Sequence, residues 1–198
     1  MQTDETTDRI VRSALDLILS RGISGTNLAS VASHAGVTRV TVYRHFGDKR
    51  GLMLAVCMRI ASVFERAAAG EPAETIEQVD ARLNRLGTEL AALPKGNLLA
   101  RLEEIRHRYP DVYEQFREAR QRAVDSIFRQ ALAAATHDGA LREGLNPEVL
   151  KVIFWAAVVG LIENPALVSS NISLAEVFAT VTAVFRHGIL KGSDDAAD

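Results

Sequence analysis

Little in this 198-residue chain is built for covalent or membrane architecture. It has a single cysteine, Cys57, so no internal disulfide can form, which fits a reducing compartment. No apolar run reaches the ~18 residues that a spanning helix needs. The longest lies around 152–162. The opening MQTDETTDR is polar and acidic and lacks the apolar core of a signal peptide. A cytoplasmic protein without a membrane partner is expected. There are only 5 prolines, and no segment alternates as a half-buried strand would. Charge of one sign is also scarce: the net value is −2. That argues against indiscriminate nucleic-acid binding, but the distribution is uneven. Residues 1–69 hold 9 Lys+Arg against 6 Asp+Glu, whereas residues 70–198 hold 14 against 19. The asymmetry permits a nucleic-acid module at the N-terminal end.

What is present is helix punctuation along an apolar-rich chain (47% hydrophobic). Thr6 or Thr7 can cap a first helix bearing Ile10, Ala14, Leu17 and Ile18, ended by Gly22. A short segment follows from Leu28 to Ala35. Asp48 caps a long helix over 49–69, in which Leu52, Val56, Ile60 and Phe64 recur every four residues. Gly70-Glu71-Pro72 is the clearest break. Helices are then expected over 73–93, 95–109 (ended by Pro110), 112–136, 146–162 and 174–190. Asn164-Pro165 is expected to open a loop, and the acidic tail from Gly192 to fray.

One stretch resists propensity. Val37 to Tyr43 reads V-T-R-V-T-V-Y, all β-branched, aromatic or Arg, which favours a strand. A strand needs a partner, and no other segment offers one. A helix accounts for the residues individually. Gly36 can take the positive φ of a tight turn, and Thr38 can cap. Val42 and Phe46 fall one turn apart and face inward with Val37. Arg39, Val40, Thr41, Tyr43, Arg44 and His45 are left on the exposed sides. A short polar helix after a short helix and a glycine turn is a helix-turn-helix. A methyl group of Val40 or Thr41 could meet a thymine methyl in the major groove.

The stretch TNLASVASHAGVTRVTVYRHFGDKRGL, Thr26 to Leu52, resembles the DNA-binding signature of the TetR (tetracycline-repressor-like) family. Val31, Ala32, Ala35, Gly36, Val37, Thr38, Thr41, Val42, Tyr43, His45, Phe46 and Lys49 occupy the signature's defined positions. The resemblance covers about residues 8–60. Val40 departs from it, standing where the family often has Gly, Ala or Pro, and this bears on base preference. LEEIRHRYP, Leu102 to Pro110, with the long helix after it, resembles the family's C-terminal pattern.

The resemblance implies an all-α protein of about nine helices. Residues 1–50 would form a three-helix, helix-turn-helix DNA-binding domain. Residues 51–192 would form a helical ligand-binding and dimerisation domain, joined through the long helix 49–69. Arg39, Thr41, Arg44 and His45 are candidate base readers by position, and Val40 shares their face. Thr26, Thr38, Tyr43 and Lys49 resemble phosphate contacts, which position a protein without reading sequence. Implied partners are double-stranded DNA, a second copy of the chain and a small-molecule effector.

Helices 146–162 and 174–190 are apolar on more than one face. Trp155, Val158, Val159, Ile162, Phe178, Val181, Val184 and Phe185 are therefore candidates for a homodimer interface, with a deeply buried intramolecular pair as the alternative. An effector pocket could draw on Leu86, Leu90, Leu102, Ile105, Arg106, Tyr109, Tyr113, Phe116 and Phe154, each equally compatible with plain core. One Arg in an apolar lining suits a hydrophobic or amphipathic ligand, an anionic one included.

Other readings are weaker. Glu104-x-x-His107 has the spacing of a di-iron unit, but such sites need two units. His137 and His187 have no carboxylate three residues upstream, and Glu104 can pair with Arg101 or Arg108 instead. No metal or other cofactor is expected. His34 reads as exposed or backbone-bonded and not functional, and Cys57 as a buried inert thiol. The competing classes are a helical metal-binding or enzymatic bundle, which lacks a nucleophile–base pair and a phosphate loop, and a protein-interaction module.

Overall fold

A computed structural model describes residues 2–190. Ten helices run in order: α1 (Gln2–Arg21), α2 (Leu28–Ala35), α3 (Arg39–Phe46), α4 (Lys49–Ala68), α5 (Ile76–Ala91), α6 (Leu98–Arg108), α7 (Pro110–His137), α8 (Pro147–Ile162), α9 (Pro165–Val168) and α10 (Leu174–Ile189). Among the described residues there is no strand, only an isolated antiparallel bridge between Leu141 and Leu190. The acidic tail lies outside the described residues.

The helices group into two compact units. The first comprises residues up to Ser62 together with Pro94–Arg120. Its core is the inner stripe of α1 (Ile10, Ala14, Leu17, Ile18), Val31 and Ala32 of α2, Val42 of α3, and Leu52, Met53, Val56 and Ile60 of α4. Leu99, Leu102 and Ile105 of α6 and Val112 and Phe116 of α7 are buried in the same unit. The second unit comprises Val63–Leu93 and the described residues from Gln121 onward. It buries Ala73, Val79 and Ala134 in one cluster, with Ile76, Leu83 and Ala131 packed against them. Phe128, Phe154 and Phe185 form a second cluster. The Phe128 and Phe154 rings stack at 4.5 Å, and Phe185 meets Phe154 edge-on at 5.2 Å.

Several helix ends differ from expectation. Neither Thr6 nor Thr7 caps α1, which already runs from Gln2. Pro110 does not merely end α6: Tyr109 closes that helix, and Pro110 opens α7 at the position where its missing N–H costs nothing. Asn164-Pro165 starts a helical turn, α9, with Asn164 capping Ala166 N–H, and not a loop. α5 and α6 begin later than expected, because Thr75 and Asn97 supply the N-caps, and they end at Ala91 and Arg108.

Candidate nucleic-acid interface

The Val37–Tyr43 stretch is helical from Arg39 onward. Its two ends explain how poor helix formers are held. Gly36 closes α2 in the left-handed conformation, φ 63°, with its N–H bonded to Ala32 and Ser33 carbonyls. Thr38 then caps α3, its hydroxyl oxygen accepting from Thr41 N–H at 3.1 Å. Val42 is fully buried, tying α3 to the core. At the far end, a Cβ added to Gly51 would fall 2.0 Å from the Phe46 carbonyl oxygen. Only glycine lets the start of α4 pass so close to the end of α3, which sets the angle between them.

The candidate residues are not equivalent. Arg39, Val40, Tyr43 and Arg44 are exposed on α3, with Val40 at 75% and Tyr43 at 64%. Thr41 is half-buried, and its hydroxyl lies 2.9 Å from that of Thr38, inside the capping arrangement. His45 is half-buried too. Its Nδ1 is 3.1 Å from Thr7 Oγ1, so the imidazole is moored to α1. Thr7 thus serves α3, not the start of α1.

Two expected phosphate contacts have other occupations. Thr26 is 0% exposed, and its hydroxyl donates to the Gly22 carbonyl at 2.9 Å. It locks the turn between α1 and α2 and has no surface to offer a phosphate. The residue before α2 that faces solvent is Asn27, whose side chain and that of Ser30 form a reciprocal capping box. Lys49 Nζ donates to the Ile23 carbonyl at 2.6 Å, and burial, helped by the Arg108 charge, pushes its pKa down.

The N–H of the same Ile23 residue donates to Glu104 Oε2 at 3.2 Å, and Glu104 also pairs with Arg101. Ile23 is therefore gripped on its carbonyl side by α4 and on its amide side by α6. Glu104 is fully engaged in this clamp, and His107 Nδ1 lies 2.9 Å from the Glu103 carbonyl oxygen. Among the described residues no three His, Cys, Asp or Glu side chains converge as metal ligands would. This clamp was not visible in the sequence, since it joins residues 81 positions apart.

The candidate pocket residues divide between the two units. Leu102, Ile105, Arg106, Tyr109, Tyr113 and Phe116 lie in the first, Leu86, Leu90 and Phe154 in the second. Leu86, Leu90, Leu102, Ile105, Tyr113 and Phe116 are buried and Phe154 belongs to the aromatic cluster above. Arg106 is exposed and paired with Glu103 at 2.7 Å. The buried guanidinium is instead that of Arg120, 3% exposed and 5.4 Å from the centroid of the Phe116 ring. Arg120 was not singled out from the sequence; its spacing, one helical turn beyond Phe116, is the signal that could have found it.

The interface candidates also shift. The most exposed apolar side chains of α8 are Val149, Val152, Ile153 and Val159, and on α10 Val184. Trp155, Val158, Ile162, Phe178, Val181 and Phe185 are half-buried. On α8 the exposed set falls within one stripe, and an added Cβ at Gly160 or Gly188 would meet nothing within 4 Å.

With this geometry in place, the relatives are informative. Residues 10–56 match the family model described as bacterial regulatory proteins, tetR family. The chain is 29% identical over 180 residues to the HTH-type transcriptional regulator TtgR of Pseudomonas putida, covering 87% of this chain and 86% of that protein. It is 34% identical over 143 residues to the HTH-type transcriptional repressor Rv3405c of Mycobacterium tuberculosis, covering 71% and 72%. In fold it resembles SmeT, the repressor of the Stenotrophomonas maltophilia multidrug efflux pump SmeDEF, a protein also solved with triclosan. That likeness has a TM-score of 0.63 at 22% identity and covers 98% of this chain and 94% of SmeT. None of the relatives named is an enzyme, and no helix among the described residues is long and apolar enough to cross a membrane. The capped α2–α3 pair, its exposed basic face and the extent of these matches converge: the chain belongs to the TetR family and is a helix-turn-helix, DNA-binding transcriptional regulator.

Proposed function

We propose that the chain is a cytoplasmic, effector-responsive repressor that binds a palindromic operator as a homodimer. Residues 1–50 act as the reading head and residues 51–192 as the effector-binding and dimerisation part. The observation that carries the reading is the outward face of α3, where Arg39, Val40, Tyr43 and Arg44 stand exposed on a helix fixed from behind by Val42. Arg39 and Arg44 are assigned to base edges, where an Arg reads guanine O6 and N7. Thr41 and His45 sit beside them and contribute through the atoms that their moorings leave available. Tyr43 and Thr38 are assigned to the backbone, fixing register without reading bases, and Lys49 is left out because its ammonium is held on the Ile23 carbonyl. Thr26 is left out of the set because it is buried.

The exposed stripe of α8 and Val184 of α10 support pairing of two chains. A two-fold axis would repeat α3 and call for half-sites about one helical turn apart. For the effector, we assign the anion-meeting role to Arg120 and not to Arg106. Arg120 is buried with its guanidinium over the Phe116 ring, which neighbours Tyr113, whereas Arg106 stands exposed at the surface beside Glu103. An aromatic or amphipathic molecule is the chemistry such residues suit, and triclosan, bound by SmeT, is of that kind. Regulation then requires the effector to favour the arrangement that binds DNA less well. Linkage makes this reciprocal: operator must weaken effector binding by the same factor.

The test is selection from a random duplex library with purified protein, repeated after unfolding and refolding to strip any carried effector. A palindromic motif is the expected result. No enrichment from either preparation would remove the reading.

A further inference from the structure

The most exposed large apolar side chain described in the structure, Val40, sits in the middle of the reading face. This position has no local justification. Valine is a poorer helix former than alanine, and α3 is short. At 75% exposure Val40 contributes almost nothing to the core. Its side chain gains only when something apolar covers it. Arg39 precedes it, and Tyr43 and Arg44 follow one turn later, so whatever covers it is held between cations and a phenol. In a major groove the apolar group of a base edge is the thymine 5-methyl. Of the other methyl carriers on this helix, Val42 is buried, and Thr41 is half-buried with its hydroxyl beside that of Thr38.

We propose that Val40 reads the 5-methyl group of one thymine in each half-site, making it a specificity-determining residue of this regulator. The proposal rests on the DNA reading above and names what one side chain recognises there. Cytosine has no methyl group at that position, and uracil differs from thymine by that methyl alone.

The experiment uses the selected palindromic duplex, with thymines replaced one symmetric pair at a time by uracil, and the full-length chain with and without Val40→Ala. At one position, uracil weakens wild-type binding by about fourfold in one half-site and about fifteenfold in both, the worth of a buried methyl group. Val40→Ala binds the thymine duplex more weakly by a similar factor and no longer distinguishes thymine from uracil. Alanine at an exposed helix site does not impair folding, and an unchanged melting temperature checks this. If uracil is silent at every position with wild type, or if Val40→Ala still discriminates, the proposal is overturned. If Val40→Ala weakens every sequence equally, Val40 touches the backbone, and the proposal is again overturned. Failure of the DNA reading looks different: no duplex is selected, before any uracil is introduced.

Discussion

Cys57 lies inside α4 with no exposed surface, and burial pushes the pKa of its thiol up from an ordinary 9.0 to about 12. The native state thus favours the protonated form. This contribution to stability is complete below pH 9 and is lost as pH rises from there towards about 12. A thiol-labelling reagent at pH 8 is expected to leave the native chain unmodified and to react once it is unfolded. Labelling of native protein within seconds would contradict the burial. The inert thiol was legible in the sequence from the apolar run around it. Thr26 and Lys49 were legible only as letters of a motif. The hydroxyl of Thr26 and the ammonium of Lys49 are used on the Gly22 and Ile23 carbonyls, partners that a motif does not name. Backbone groups in turns must find hydrogen bonds, and which side chain supplies them depends on packing.

At the scale of the element, α3 shows why propensity is a weak guide for eight residues. The lost helix preference sums to a few kcal/mol at most. One side-chain cap, the left-handed turn at Gly36 and burial of Val42 offset it. Thr38→Ala removes the cap and is expected to cost about 1 kcal/mol, lowering the melting temperature by about 2–4 °C. Thr38→Ser restores it. An unchanged melting temperature for Thr38→Ala would show that the cap carries no stability. Gly36, Thr38 and Asp48 stood out in the sequence because their chemistry is local. Asp48 does accept from Gly51 N–H at 2.8 Å. Gly51 did not stand out, since its reason is the Phe46 carbonyl oxygen on the preceding helix. The starts of α5 and α6 were set too early, because Thr75 and Asn97 decide where hydrogen bonding begins.

For the whole molecule, the all-helical class and the order of nine helices were readable, because amphipathic periodicity needs no knowledge of partners; α9, a single four-residue turn, is too short to show a period. The division into a unit of residues up to Ser62 with Pro94–Arg120 and a second unit was not readable. It depends on where α6 and the start of α7 pack, and one sequence does not encode that as a pattern. The proposed homodimer belongs to this scale. Val184 is 64% exposed, so Val184→Glu leaves a folded chain but places a charge on the apolar face.

The central claim, two copies of the α3 face reading one duplex, is tested most directly by sedimentation of the selected duplex with protein at rising salt. The expected result is two chains per duplex with an affinity that falls steeply with salt, and a large loss for Val184→Glu. A complex of one chain per duplex, or binding indifferent to salt, would contradict it.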